Sequence, residues 1–283
     1  AREGWAESKE DHRGYAALPR PRPQPLPARA IGDLQWESGH FSGAKKGEWR
    51  VWLKRSLTQS HQHADLTSVW IRYGKAWVVQ DPGTGTYNGP IDVRDGFRSS
   101  AAHSIWHPVG RDLLGPHRAF RWERPTVPCG SGQGEFGPLS VLVSWHDGFD
   151  QGRTLRIVLV EATGVTVIDR LPMEARDWQL SVPLGPEGRR LTGLSALVEG
   201  QENPFAGWMS STYGEWHPSP WLTLYGDAGW HVWGAGAVAA VEVVSADHLN
   251  VAKLSVHVSQ GADDVVVELS RRDTSEMVVA PRA

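Results

Sequence analysis

Three short segments of the chain carry residue types that bind metal ions. His61-Gln62-His63-Ala64-Asp65 holds two histidines, Asp81-Pro82-Gly83-Thr84 holds an aspartate in a turn signal, and Ala102-His103 holds a third histidine. Two imidazole nitrogens and one carboxylate suit zinc and leave a fourth position for water or substrate. If the first segment is extended, strand alternation places His61 and His63 on the same face. A metal ligand and an acid/base group would then come from one segment.

The elements that must position these residues are strands. Aromatic and branched residues fill Trp49–Lys54, and Ser68–Tyr73 is joined to Ala76–Gln80 by a Gly-Lys turn that predicts a hairpin. Further strands are predicted at 140–145, 155–160, 165–169, 237–244, 252–258 and 264–269. No long stretch has sustained helical periodicity. Many short strands between Gly and Pro turns predict an all-β fold, a large antiparallel β-sandwich.

Bulk composition excludes several classes of function. The chain has 283 residues, enough for one large β domain, and its net charge of -3 gives no electrostatic case for nucleic acid. No apolar run is long enough for a membrane span, and the first residues do not resemble a secretion signal. Cys129 is the single cysteine, so no internal disulfide is expected.

A proline-rich segment divides the chain into two unequal parts. Residues 18–27 alternate proline with other residues, which excludes a helix or a central strand and predicts an extended linker. We therefore expect residues 1–29 to be a linker or the remnant of a preceding domain, and residues 30–283 to form the β-sandwich.

Tryptophan is unusually frequent, with 15 copies against 6 phenylalanines. Flat indole rings can stack on sugar rings, although most tryptophans of a β domain fill its core. The dense group in the C-terminal third is a hint of sugar binding; it comprises Trp208, Trp216, Trp221, Trp230 and Trp233.

The three metal-binding segments, taken together, resemble a known family. Residues 60–68, 81–87 and 97–104 match, in order and spacing, the C-terminal β-sandwich domain of heparinase II/III-like polysaccharide lyases, which include oligo-alginate lyases. Residues 167–171 match as well, and residues 207–214 match more weakly. The sequence departs from the family pattern at Ser104, where asparagine is usual, and at Gly96, where tyrosine is frequent.

The resemblance implies roles for individual residues. In such lyases the residues that match His63, Asp81 and His103 bind zinc, and those that match His61 and Tyr87 face the substrate cleft. Asp65 is expected to be a structural hydrogen-bond partner that orients a histidine. Two arginines, Arg94 and Arg98, are candidates for pairing with a substrate carboxylate.

The family also implies an activity and a partner. Its members break acidic polysaccharides beside a uronic acid by β-elimination, in which a base removes a proton, the carboxylate is neutralised and an acid protonates the leaving oxygen. A helical (α/α) toroid precedes the sandwich and supplies essential residues; no segment here resembles it. We expect a structural or cleft-organising zinc, an acidic polysaccharide or oligosaccharide as substrate, and secretion or a periplasmic location.

Two alternatives remain open from the sequence. A sandwich without the toroid would be a non-catalytic carbohydrate-binding or structural module. A cupin-like metalloenzyme also uses His-x-His, but Thr67 stands where a glutamate ligand would be expected.

Overall fold

The computed structural model describes most of the chain after residue 32. The described ranges are 33–57, 61–118, 120–124, 126–192, 207–246, 253–260, 263–271 and 277–281. The linker predicted at residues 1–29 lies outside them. Within these ranges, no helix has both the length and the apolar character needed to cross a membrane.

Strands dominate the described residues. In chain order they are β1 (Leu34–Ser38), β2 (Phe41–Lys46), β3 (Trp49–Lys54), β4 (Val69–Tyr73), β5 (Ala76–Val79), β6 (Trp106–Pro108), β7 (Pro116–Arg118), β8 (Arg121–Trp122), β9 (Cys129–Phe136), β10 (Leu139–Phe149), β11 (Gly152–Val160), β12 (Gly164–Leu171), β13 (Trp178–Pro183), β14 (Leu191–Thr192), β15 (Trp208–Thr212), β16 (Glu215–Pro218), β17 (Trp221–Gly226), β18 (Gly229–Gly236), β19 (Ala240–Ala246), β20 (Lys253–Gln260), β21 (Asp263–Arg271) and β22 (Met277–Pro281). One α-helix, α1 (Ile91–Arg98), and two 3-10 helices (Ser100–Ala102 and Gly188–Arg190) are also described.

All strand pairs are antiparallel, which confirms the predicted all-β sandwich. A five-stranded sheet has the order β1-β2-β3-β4-β5, and a six-stranded sheet has the order β14-β18-β12-β11-β10-β9. Smaller sheets are β17-β13-β6, β19-β20-β21-β22, β15-β16 and β7-β8. Consecutive strands usually pair with each other because short glycine turns connect them.

The predicted hairpin in the five-stranded sheet is confirmed. β4 and β5 are joined at Gly74, whose φ of +57° lies in the left-handed region that favours glycine. A similar glycine, Gly47 with φ +54°, joins β2 to β3. The sheet is therefore a simple meander whose register is fixed by its turns.

Apolar side chains from the two large sheets form the core. Ala44, Val51 and Ile71 of the five-stranded sheet are fully buried in one cluster with Val158 and Val167 of the six-stranded sheet. Alternate residues of β3 and β4 point inward, so burial on this face stabilises the register of the whole meander.

A buried ion pair joins two neighbouring strands, β11 and β12, of the six-stranded sheet. Arg156 of β11 donates from Nε to Oδ1 of Asp169 at 2.6 Å and from Nη2 to Oδ2 at 2.9 Å, and both side chains are buried. Nη1 of Arg156 donates to the carbonyl oxygen of Thr67 at 2.8 Å and to that of Ser104. One guanidinium thus ties the sheet to the two loops that carry the predicted metal ligands His63 and His103.

The carboxylate of this pair is itself fully engaged. Oδ2 of Asp169 also accepts the indole N–H of Trp106 at 2.8 Å and that of Trp233 at 2.9 Å. Trp233 is 1% exposed. This tryptophan was part of the group that hinted at sugar binding, and it is a core residue instead.

Three local features differ from what the sequence pattern indicated. The helix α1 escaped notice because eight residues are too few to establish a helical period. The strand predicted at 237–244 begins only at Ala240, since β18 ends at Gly236, whose φ of +75° turns the chain. The segment that contains His61 is not extended, because His61 has a φ of +53°.

We predict that Asp169→Asn destabilises the fold by about 3 to 5 kcal/mol, because the buried guanidinium of Arg156 would lose its countercharge. Denaturant unfolding measures the change. The control is Arg111→Gln, which removes an exposed ion pair with Asp150 and is expected to leave the midpoint nearly unchanged. Equal midpoints for Asp169→Asn and the unmutated chain would contradict the assignment.

We also predict that stability falls as the pH drops from about 6.5 to about 4. Burial lowers the pKa of His146 to about 4, so the unfolded chain binds a proton in this window that the folded chain does not. His146→Gln should remove up to about 3 kcal/mol of this pH dependence. Thermal unfolding at several pH values measures it, with the exposed His117→Gln as control; identical pH profiles for all three proteins would count against the prediction.

Candidate functional site

Two irregular segments and a 3-10 helix bring the predicted metal ligands to one end of the sandwich. His63 lies in the loop between β3 and β4, and this loop is anchored where Nζ of Lys54 contacts Oδ2 of Asp65 at 3.0 Å in a buried ion pair. Ala64 N–H donates to the carbonyl oxygen of Arg98 at 2.9 Å, which fixes the loop against the end of α1. His103 directly follows the 3-10 helix.

Asp81 is held in a tight turn just after β5. Its Oδ1 accepts the backbone N–H of Gly83 at 2.8 Å. Gly83 has a φ of +82°, and any Cβ there would collide with the carbonyl oxygen of Ser210. Glycine is therefore required at this position, and Oδ2 of Asp81 is left to point toward the histidines.

The three predicted ligands converge as expected. Nδ1 of His63 is 3.2 Å from Nε2 of His103, and Nδ1 of His103 is 3.4 Å from Oδ2 of Asp81. One candidate ligand atom from each residue lies within 4.8 Å of the other two. His103 is 1% exposed, whereas His63 and Asp81 are partly accessible.

Electrostatics prepare two of these groups for a cation. Burial, with a contribution from His103, lowers the pKa of His63 to about 4, so its imidazole is neutral at pH 7. Burial alone would raise the pKa of Asp81, but His103 and His63 bring it well below its usual value and keep the carboxylate ionised. A neutral imidazole and an ionised carboxylate are the forms that bind metals.

The third ligand has an unsatisfied atom. Burial opposes the charged form of His103, yet contact with the Asp81 carboxylate raises the pKa of this histidine. In the part of the chain that the structure describes, Nδ1 of His103 is buried and makes no hydrogen bond; its charged neighbour, Oδ2 of Asp81, lies 3.4 Å away. An orphaned buried nitrogen beside another imidazole and a carboxylate fits a divalent metal site.

Asp65 does not contact either histidine by a hydrogen bond in the described structure. Its carboxylate pairs with Lys54 and so anchors the loop that carries His63. The expectation of a structural hydrogen-bond partner is met, but the partner is a lysine rather than an imidazole.

An aromatic wall stands beside the metal cluster. The rings of His61 and Tyr87 meet edge to face with centroids 5.7 Å apart, and Phe120 lies 4.6 Å from His61 and 5.2 Å from Tyr87. His61 and His63 line the same small cavity, which also includes Tyr87. The proximity expected for His61 and His63 therefore arises from a turn rather than from strand alternation.

Sequence reasoning did not assign a role to Tyr213, which completes this wall. Its ring lies 5.5 Å from that of Tyr87, and its hydroxyl oxygen accepts the backbone N–H of Tyr87 at 3.1 Å. This hydrogen bond, together with contacts from Thr86 and Asn88, lowers the pKa of Tyr213. Tyr213 lies in the weak family match at residues 207–214, which could have drawn attention to it. Nothing in that stretch indicates that it contacts the loop containing Tyr87.

The two candidate arginines line the same cavity but are already engaged. Arg94 binds both carboxylate oxygens of Asp95, with Nε 2.9 Å from Oδ1. Arg98 is buried, contacts Asp95 and the carbonyl oxygen of Arg118, and stacks 4.4 Å from the ring of Trp122. These contacts favour a structural role for Arg98; substrate binding by either arginine stays a prediction.

Comparison with known proteins agrees with this architecture. Residues 37–268 match the family described as heparinase II/III-like, C-terminal. The chain belongs to the heparinase II/III-like family.

Solved structures show the same fold. A heparinase III with methylated lysines superimposes with a TM-score of 0.62 at 12% identity, covering 86% of this chain and 42% of that one. The heparan sulfate lyase HepC from Pedobacter heparinus gives a TM-score of 0.56 at 14% identity, covering 85% and 43%. The chain thus spans less than half the length of these structures. Among curated proteins, no sequence match is found.

All seven residues predicted for the site lie within the matched part of this heparinase II/III-like domain. The structure brings His63, Asp81 and His103 into one cluster and His61 and Tyr87 into the adjacent wall. A cupin-like protein is not supported, because the fold and the family match both point to the lyase sandwich.

We predict that the purified heparinase II/III-like domain binds about one divalent metal ion per chain, because the cluster offers three protein ligands. His63→Ala/His103→Ala should abolish binding, as measured by elemental analysis and by titration of the metal-free protein. The matched control is His117→Ala/His231→Ala, which removes two histidines outside the cluster. Absence of metal from the unmutated chain after exposure to excess metal would contradict the site.

Proposed function

We propose that this domain is the zinc-binding half of the catalytic cleft of a polysaccharide lyase. The observation that carries the proposal is the convergence of His63, Asp81 and His103 directly beside the wall formed by His61 and Tyr87. Membership of the heparinase II/III-like family supports the reaction class, and two imidazoles with one carboxylate favour zinc.

The proposed reaction is β-elimination beside a uronic acid of an acidic polysaccharide. Removal of the proton on carbon 5 concentrates negative charge on the sugar carboxylate, so cationic or hydrogen-bonding groups must neutralise it. A bound zinc ion would organise the loops that form the cleft and add positive charge to it.

His61 and Tyr87 are the proposed proton-transfer groups. His61 lines the cavity and is exposed to solvent, and Tyr87 is partly exposed next to it. Imidazole and phenol both exchange protons near neutral pH when their surroundings adjust them. The hydroxyl of Tyr213 fixes the backbone of Tyr87 and so helps to position its ring.

The complete active site is proposed to need a second domain. The solved relatives are more than twice as long as the matched part of this chain, which supports a companion N-terminal helical domain that forms the opposite wall. Secretion or a periplasmic location, where such polymers occur, is part of the same proposal. A non-catalytic sandwich that only binds carbohydrate is the competing function.

We predict that the chain, joined to its preceding coding region, releases unsaturated uronate products from heparan sulfate, alginate or a related acidic polymer. Ultraviolet absorbance of the new double bond measures the rate. Tyr87→Phe should lower kcat by about 100-fold or more, because it removes a proton donor. Tyr225→Phe, which alters an exposed tyrosine on β17, is the control. Binding of polymer without any product in the joined protein would favour the non-catalytic module.

A further inference from the structure

The five-stranded sheet has a second face that the core does not use. In β3, Val51 and Leu53 are fully buried against the six-stranded sheet, whereas Trp52 points the opposite way and is only partly buried. The same alternation turns Trp70 of β4 outward. This outer face therefore carries large aromatic residues where a solvated sheet normally carries small polar ones.

Four tryptophans extend across this face from β1 to β5. Trp36 is opposite Gly43, Gly43 is opposite Trp52, and Trp52 is opposite Trp70. Ring centroids are 5.8 Å apart for Trp36 and Trp52 and 5.3 Å apart for Trp52 and Trp77. We call the surface formed by Trp36, Trp52, Trp70 and Trp77 the tryptophan face.

Gly43 leaves the space that lets the rings of Trp36 and Trp52 meet across β2. A Cβ on Gly43 would collide with the indole of Trp36, which lies across β2 to reach Trp52. Any other residue at position 43 would push the two rings apart.

Positive charges run beside these rings. Arg50 of β3 is opposite Arg72 of β4, and the guanidinium of Arg72 lies 5.6 Å from the ring of Trp77. No acidic residue occupies an outward-facing position of β1 to β5. Like charges in register destabilise a sheet, so this arrangement favours a ligand that brings negative charge.

A groove of about 650 Å³ extends the face toward the metal cluster. Its lining includes Trp70 and Trp77 of the tryptophan face together with Met209, Ser219 and Asp81. Asp81 is the single acidic residue of this lining and belongs to the metal cluster. The tryptophan face and the proposed cleft are thus connected along one surface.

We propose that the tryptophan face binds an acidic oligosaccharide outside the metal-centred cleft. Indole faces would stack on the apolar C–H faces of successive sugar rings. Arg50 and Arg72 would pair with carboxylate or sulfate groups through the planar guanidinium. The choice of an acidic glycan rests in part on the proposed function, whereas the existence of the binding face rests on its own residues.

The aromatic part is tested by measuring affinity of the full chain for heparin and alginate oligosaccharides by calorimetry and by quenching of tryptophan fluorescence. Trp52→Ala/Trp77→Ala should weaken binding by about tenfold or more, because two stacking rings are lost. Trp230→Ala is the matched control, because Trp230 also pairs with an arginine, Arg170, at 5.9 Å but lies on the other large sheet.

The charged part is tested with Arg50→Gln/Arg72→Gln, which alters surface side chains and leaves the tryptophans in place. Binding should weaken by about tenfold and lose most of its dependence on salt. Arg111→Gln, which removes an exposed arginine on another part of the chain, should change neither property. Circular dichroism verifies that each variant is folded.

Several outcomes would overturn the proposal. Equal affinity for neutral and acidic oligosaccharides would remove the charge argument, and unchanged affinity in both double variants would remove the site. If the double variants differ from the unmutated chain in molecular mass in solution but not in glycan affinity, the face is a contact between copies of the chain. The His63→Ala/His103→Ala variant should keep this binding. If the lyase assay fails but the tryptophan-dependent affinity for the oligosaccharide is retained, the proposed function is rejected and the proposed binding face is not.

Discussion

The buried pairing of Arg156 with Asp169 is the interaction on which the rest of the structure depends. Two charges removed from water are tolerated only when each is fully hydrogen-bonded, and here every group of the pair has a partner. The guanidinium reaches the carbonyl oxygens of Thr67 and Ser104, so it connects the six-stranded sheet to the segments that carry the predicted metal ligands His63 and His103. Replacing the pair with apolar residues of similar size would keep the core packed but release those segments.

The metal cluster shows why such anchoring is needed. None of the three ligands lies within a strand, so no backbone ladder fixes them. Their positions come from an ion pair below His63, a glycine-dependent turn around Asp81 and the Ser104 contact next to His103. Convergence of a carboxylate with a neutral imidazole produces the electrostatic field that favours a cation. The candidate site is thus pre-organised by residues outside the cluster of His63, Asp81 and His103.

One alternation pattern serves both the core and the proposed glycan surface. Residues such as Val51 and Ile71 stabilise the sandwich, while Trp52 and Arg72 between or beside them face outward. Because inward and outward residues alternate along each strand, the residues that stabilise the fold differ from those that form its outer face. This separation allows an aromatic, cationic surface to exist without disturbing the core.

The sequence by itself determined the fold class, the main hairpins and the three residues of the candidate metal cluster, because strand alternation, glycine turns and motif spacing are local properties. It did not reveal the helix α1, which is too short to have a measurable period. Nor did it give roles to Asp169 or Tyr213, although both lie in stretches that match the family. Their partners are distant along the chain: Asp169 binds Trp106, and Tyr213 binds Tyr87 across 126 positions. Only the tertiary structure decided these contacts, because a hydrogen bond between remote residues depends on how sheets and loops pack rather than on any local pattern.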